Sequence, residues 1–119
     1  MKLSVVTTLY KSSSFVNDFY KRITDVISDV SLDYEIIFVD DGSPDDSLKK
    51  CIKLQEKDSK IKIIELSRNF GHHYAVYAGL EYSSGDLIFL IDSDLEVDPS
   101  IFSLFYNEIK NDEIDVVYG

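Results

Sequence analysis

A chain of 119 residues has room for one small domain with a buried core and no more. Its formal charge of −10, from 12 basic and 22 acidic residues, argues against nucleic acid or an anionic membrane surface as a partner, because both are held by basic patches. Apolar residues at 45% and charged residues at 29% argue against disorder, and the single Cys51 rules out an internal disulfide and fits a reducing compartment.

The start, "MKLSVVTTLYKSSS", has an apolar run too short for a signal-peptide core and no small-residue cleavage site. No window approaches the roughly 20 apolar residues of a membrane helix. The expectation is a cytoplasmic protein, able to sit at the cytoplasmic face of a membrane only through residues outside this chain.

In chain order, "LSVVTTL" (3–9), "YEIIFV" (34–39), "KIIEL" (62–66), "DLIFLI" (86–91) and "IDVVY" (114–118) read as strands. They are short, rich in Val, Ile and Phe, and continuous rather than alternating, as expected of strands covered on both faces. Between the first two lies a helical stripe of Phe15, Phe19, Ile23, Val26, Ile27 and Val30. Leu48, Cys51 and Ile52, with Leu54 at the edge, form a second stripe. Ser43, Pro44, Asp45 and Asp46 predict its start, as cap, first helical residue and dipole-facing acids. Ala75, Ala78, Gly79 and Tyr82 predict a close-packed third helix; Ile101, Phe102, Phe105 and Ile109 predict a fourth, opened by Asp98-Pro99. This β-α alternation implies parallel βαβ units with right-handed crossovers, hence an α/β, Rossmann-like three-layer α/β/α fold with a mostly parallel sheet. Ligands of such sheets sit beyond the carboxyl ends of the strands. "YKSSS", "DDGSPDD" and "DSDLEVD" all follow strand ends, so three segments distant in sequence converge on one crevice.

The crevice is acidic. Asp92 and Asp94, two residues apart, with Glu96 as a third oxygen, suit a hard divalent cation such as Mg²⁺ or Mn²⁺. A solvated turn is the alternative for that pair, and a helix cap is the plain reading of Asp98. Asp40 and Asp41 can accept hydrogen bonds from a nucleobase N–H or a ribose hydroxyl; one of them can equally be the acid of a tight turn made by Gly42. Tyr10 can stack on a base or simply pack. Arg68 can approach a phosphate, whereas His72 and His73 read first as surface or helix-start residues.

Taken together, "SVVTTLY…VDDGSPDDS…SRNFGHHYAVYAGLEYSSGDLIFLIDSDLEVDPSIF" resembles the amino-terminal half of family 2 glycosyltransferases of the GT-A fold. Within that family it looks most like the enzymes that charge a polyprenyl phosphate carrier. The resemblance covers nearly the whole chain. It implies transfer of a sugar from a UDP- or GDP-sugar donor to an acceptor, a polyprenyl phosphate or a growing glycan, in cell-envelope polysaccharide synthesis. It implies nucleotide contacts from Thr8, Tyr10, Asp40, Asp41, Arg68 and Asp92, with Tyr10 and Asp41 at the base. It implies a divalent metal at Asp92, Asp94 and Glu96. Two features depart from the family pattern. Thr8 stands where relatives carry Pro, and Ser12 where they carry an acid, which leaves the base open. The chain also stops at "DVVYG", before the acceptor side and the general base, so residues 1–119 read as one donor-binding domain cut short at its C-terminus, inactive alone, with no catalytic base to name. The rival reading is a non-catalytic α/β nucleotide-binding or interaction module of the phosphorelay receiver kind. It lacks the Lys such a module needs after its last strand.

Overall fold

The computed structural model describes residues 2–30, 33–92 and 116–118. In chain order these form β1 (Lys2–Leu9), α1 (Val16–Val30), β2 (Asp33–Asp40), α2 (Ser47–Lys57), β3 (Ile61–Glu65), α3 (His72–Glu81), β4 (Leu87–Leu90) and β5 (Val116–Tyr118). The strands lie in one sheet in the order β3-β2-β1-β4-β5, and every pair is parallel. The chain builds outward from β1 to β3 and then crosses back to place β4 on the other side of β1. The topological switch therefore lies between β1 and β4, where open α/β sheets bind their ligands.

Alternation along the strands divides the core in two. Leu3, Val5 and Leu9 of β1, Ile36 and Phe38 of β2, and Leu87 and Phe89 of β4 pack with Phe19, Ile23, Val26 and Ile27 of α1 and with Cys51 of α2. Phe19 meets Phe38 edge to face, with centroids 6.2 Å apart. Burying one such ring contributes roughly 1.5–3 kcal/mol. On the opposite face Val6, Ile37, Val39 and Leu90 pack with Ala75 and Ala78 of α3. This layer is thin because of Gly79, where an added Cβ would lie 2.4 Å from a Val6 side-chain carbon. The predicted close packing of the third helix is thus a glycine contact against the central strand.

Two expectations need correction. The second helix begins at Ser47 with Asp46 in the N-cap position, later than the Ser43-Pro44 start predicted from the sequence. The reason is competition for Ser43: its hydroxyl accepts the Lys11 N–H at 2.8 Å and donates to Asp45, and Asp45 in turn accepts the Ser47 N–H at 3.1 Å. Residues 43–46 form a bonded turn, and the helix starts after it. Ile52, predicted in the buried stripe, is 43% exposed, and α2 fixes itself on the core mainly through Cys51 with Leu54 beside it. The predicted fourth helix and its Asp98-Pro99 start lie outside the described residues.

At the amino edge of the sheet, β2 buries the carboxylate of Glu35. It accepts from Ser4 Oγ at 2.5 Å, from the Ser84 N–H at 2.7 Å and from Ser84 Oγ at 3.1 Å. Lys62 Nζ lies 2.6 Å and Lys2 Nζ 3.6 Å from its other oxygen. Burial pushes the carboxyl up, but the bonds from Lys62, Ser4 and Ser84 prevail and hold it down at about 2. No sequence signal marked this residue; a Glu in a strand of apolar neighbours is its only trace.

Candidate functional site

The carboxyl edge of the sheet carries two of the three loops that the sequence predicted to converge, and of the third, "DSDLEVD", only Asp92 lies within the described residues; hydrogen bonds tie the strand ends together. The β1 and β2 ends join where Asp41 N–H donates to the Leu9 carbonyl at 2.9 Å. The β2 and β3 ends join where Leu66 N–H donates to the Asp40 carbonyl at 3.0 Å. The β1 and β4 ends join where Ile91 N–H donates to the Val6 carbonyl at 3.1 Å. Asp92, exposed, follows directly after Ile91 at this edge.

Asp40 and Asp41 are both 4% exposed, and neither makes an ion pair among the described residues. The structure separates their roles. Asp40 accepts the Ser43 N–H at 3.1 Å, closing the turn. Burial raises its pKa against that bond, and the negative charges of Glu65, Asp45 and Asp41 raise it further. Its charge adds to burial in pushing the Cys51 thiol up to about 12, so Cys51 is an inert core residue. Asp41 accepts the Phe70 N–H at 2.9 Å through Oδ1, and its second oxygen has no partner among the described residues. Of the two, Asp40 is the turn acid and Asp41 holds the loop between β3 and α3.

Gly42 sits at φ +66°, and a Cβ there would lie 2.4 Å from the Asn69 nitrogen and 2.5 Å from the Arg68 carbonyl carbon. Only glycine lets the β3–α3 loop lie directly on this turn. A tight turn was legible in the sequence; the backbone of a distant loop pressed against it was not.

Tyr10 lies just past β1, 45% exposed, with the Lys11 ammonium 5.5 Å from its ring centre. Lys11 adopts φ 55°. Ser12, where the family resemblance leads one to expect an acid, is buried and donates its N–H to Ser47 Oγ at 3.1 Å. Arg68 is exposed, its guanidinium 4.8 Å from the Phe70 ring centre, and it makes no ion pair among the described residues. Thr8 Oγ1 lies 3.3 Å from Nδ1 of His72, the first residue of α3. That contact joins the end of β1 to a histidine that the sequence marked only as a surface or helix-start residue.

The oxygen donors suit a hard cation, but only Asp92 of the predicted metal group falls within the described residues; Asp94 and Glu96 lie outside them. Among the described residues no three His, Cys, Asp or Glu side chains group closely enough to hold a metal. A groove of about 560 Å³ beside β3, lined by Gln55, Lys62, Ile63, Ile64 and Tyr82, is apart from this edge and carries no acid.

A parallel sheet with acidic groups at the carboxyl ends of its strands is an α/β arrangement whose ligands meet that edge, and solved structures narrow the fold. The fold matches the mannosyltransferase PcManGT of Pyrobaculum calidifontis in complex with GDP-Man and Mn²⁺, at TM-score 0.67 and 19% identity over 77% of this chain and 27% of that one. It also matches TarS 1-349 of S. aureus in complex with UDP-GlcNAc, at TM-score 0.65 and 21% identity over 91% of this chain and 32% of that one. These likenesses show the GT-A fold. The Glycosyl transferase family 2 profile matches residues 4–119, and the chain belongs to that family. A Mycobacterium tuberculosis protein named among glycosyltransferases is 49% identical over 119 residues, all of this chain and 35% of the relative. The undecaprenyl-phosphate 4-deoxy-4-formamido-L-arabinose transferase of Salmonella choleraesuis is 40% identical over 99 residues, 82% of this chain and 30% of the relative. The chain thus spans about a third of the length of the curated relatives it matches.

Proposed function

We propose that this chain is the donor-binding part of a metal-dependent glycosyltransferase that moves a sugar from a nucleotide-diphosphate sugar to a lipid-linked phosphate. The observation that carries this reading is the pair of buried carboxylates at the end of β2. They are uncompensated by any cation among the described residues and share one sheet edge with Tyr10 and Asp92. Buried carboxylates with no cation beside them are costly, and such groups gather at ligand sites, where an incoming donor completes them. Family membership and the donor complexes of the structural neighbours support the donor class. The undecaprenyl-phosphate relative supports the acceptor class.

In this reading Tyr10 covers the base and Asp41 accepts a base N–H through its second oxygen. Asp40 keeps the turn that presents Asp41. Arg68 swings from Phe70 toward a phosphate. Asp92, Asp94 and Glu96 would hold Mg²⁺ or Mn²⁺, which when bound offsets the charge growing on the leaving diphosphate. With a phosphate as acceptor, the attacking oxygen is already ionised, so a general base matters less than it would for a hydroxyl.

The test is calorimetric titration of the full-length protein with UDP and GDP, with and without chelator. Binding is expected to need the divalent ion. Asp94→Asn should weaken it at least about tenfold, and added Mn²⁺ should restore part of the loss by mass action. Equal affinity with and without chelator would remove the metal from the site.

A further inference from the structure

We propose that His72 is a specificity-determining residue that reads the base of the bound nucleotide, working as a pair with Asp41. This rests on the nucleotide-sugar reading above and goes beyond it by assigning the edge of the base that is read.

The inference starts from the 3.3 Å contact between Thr8 Oγ1 and His72 Nδ1. A neutral imidazole carries one ring proton, and the nitrogen that carries it is set by what the other nitrogen meets. In the tautomer that carries its proton on Nε2, Nδ1 accepts from the Thr8 hydroxyl, and it is this tautomer that the proposal assigns. The ring is then held at one edge and offers an N–H donor at the other, on a side chain that is exposed at the start of α3.

Asp41 is brought to the same place by a second bond. Its Oδ1 accepts the N–H of Phe70, two residues before His72. The end of β2 thus supplies an acceptor bonded to Phe70, and the imidazole of this proposal stands two residues further on, at the start of α3. Uracil and guanine each present an N–H directly beside a carbonyl oxygen. Cytosine and adenine present the reverse, a bare ring nitrogen beside an amino group. An acceptor carboxylate next to a donor imidazole matches the first edge and opposes the second. A mismatched edge would leave polar groups on both sides without partners, which is the strongest kind of discrimination a binding site makes. His73 serves as the internal comparison: its ring centre lies 6.0 Å from that of His72, and it too is exposed, but it has no bond to β1.

The experiment is titration of the full-length protein with UDP, GDP, CDP and ADP in the presence of Mn²⁺. The parent should favour a uridine or guanosine diphosphate over the other two. His72→Ala should weaken the favoured ligand about tenfold and leave CDP and ADP nearly unchanged, so that discrimination collapses. His72→Gln, which keeps a side-chain N–H, should recover part of the loss, and His73→Ala should bind like the parent. Thr8→Val should weaken the favoured ligand in the parent but add nothing in the His72→Ala background, the signature of two residues acting as one unit. An equal loss for all four ligands would mean that His72 acts on the diphosphate or on the fold, and would overturn the proposal. So would an unchanged profile in His72→Ala, or a parent that prefers CDP or ADP. A parent that binds none of the four overturns the nucleotide-sugar reading itself, whereas a parent that binds with His72 silent overturns only the base-reading role.

Discussion

At the amino end of β2, Glu35 is ringed by two lysines, two serine hydroxyls and a backbone N–H. At the carboxyl end of the same strand, Asp40 and Asp41 are as deeply buried, yet each has one backbone N–H and no cation among the described residues. The pKa values diverge accordingly: the bonds from Lys62, Ser4 and Ser84 hold Glu35 down at about 2 against burial, while burial and neighbouring acids raise Asp40. Two ends of one strand thus show what a buried carboxylate looks like when the fold completes it and when a ligand is meant to. The first kind pins elements together, since Glu35 joins β1, β2, β3 and the turn before β4. The second kind stores an electrostatic mismatch at the place where donors must arrive.

The largest expected effect tests the completed end. The folded carboxyl of Glu35, at about 2, lies below its ordinary value of 4.5. Its contribution to stability is therefore fully present above pH 4.5 and is lost as the pH falls towards 2. Glu35→Gln removes a contribution of roughly 3 kcal/mol at neutral pH. Denaturant unfolding should show that loss, together with a flatter acid limb between pH 4.5 and 2, while nucleotide affinity of the surviving folded protein stays as in the parent. A variant as stable as the parent would erase the contrast between the two ends.

Next comes the ligand-facing acid. Asp41→Asn keeps the shape but sets a donor against a base N–H, costing about 1–3 kcal/mol of donor affinity. Added Mn²⁺ should not restore it, in contrast to Asp94→Asn. Titration of donor at low and high Mn²⁺ separates the two, and rescue of Asp41→Asn by metal would reverse the roles given to the two acidic groups.

The smallest effect concerns Asp40. Its folded pKa is raised, so its ionisation opposes folding once the pH passes the ordinary carboxylate value. Asp40→Asn removes the charge and still accepts the Ser43 N–H. Thermal melts at neutral pH should show stability equal to the parent or higher by up to about 1 kcal/mol. A clear drop in melting temperature would mean that Asp40, like Glu35, is completed by its surroundings.

The sequence by itself determined the element order and the core. Continuous apolar runs such as "YEIIFV" can only be buried on both faces, and a helix stripe such as Phe15 to Val30 has one face to bury. Strand ends follow from those runs, so the acids that cluster behind them were legible as the lining of one sheet edge. What the tertiary structure alone decided are the contacts between segments far apart in the chain. Which of Asp40 and Asp41 closes the turn depends on the alternation that turns one toward α2 and the other toward the loop before α3. The late start of α2 depends on Lys11 reaching Ser43 from another loop. The backbone lying on Gly42, the pairing of Thr8 with His72, and the lysines that complete Glu35 are likewise set by how the strands are ordered side by side. Periodicity reports which face a residue takes. It carries no record of the neighbour it meets there, because that neighbour is chosen by the crossovers that set the strand order β3-β2-β1-β4-β5 and not by the residues on either side of it in the chain.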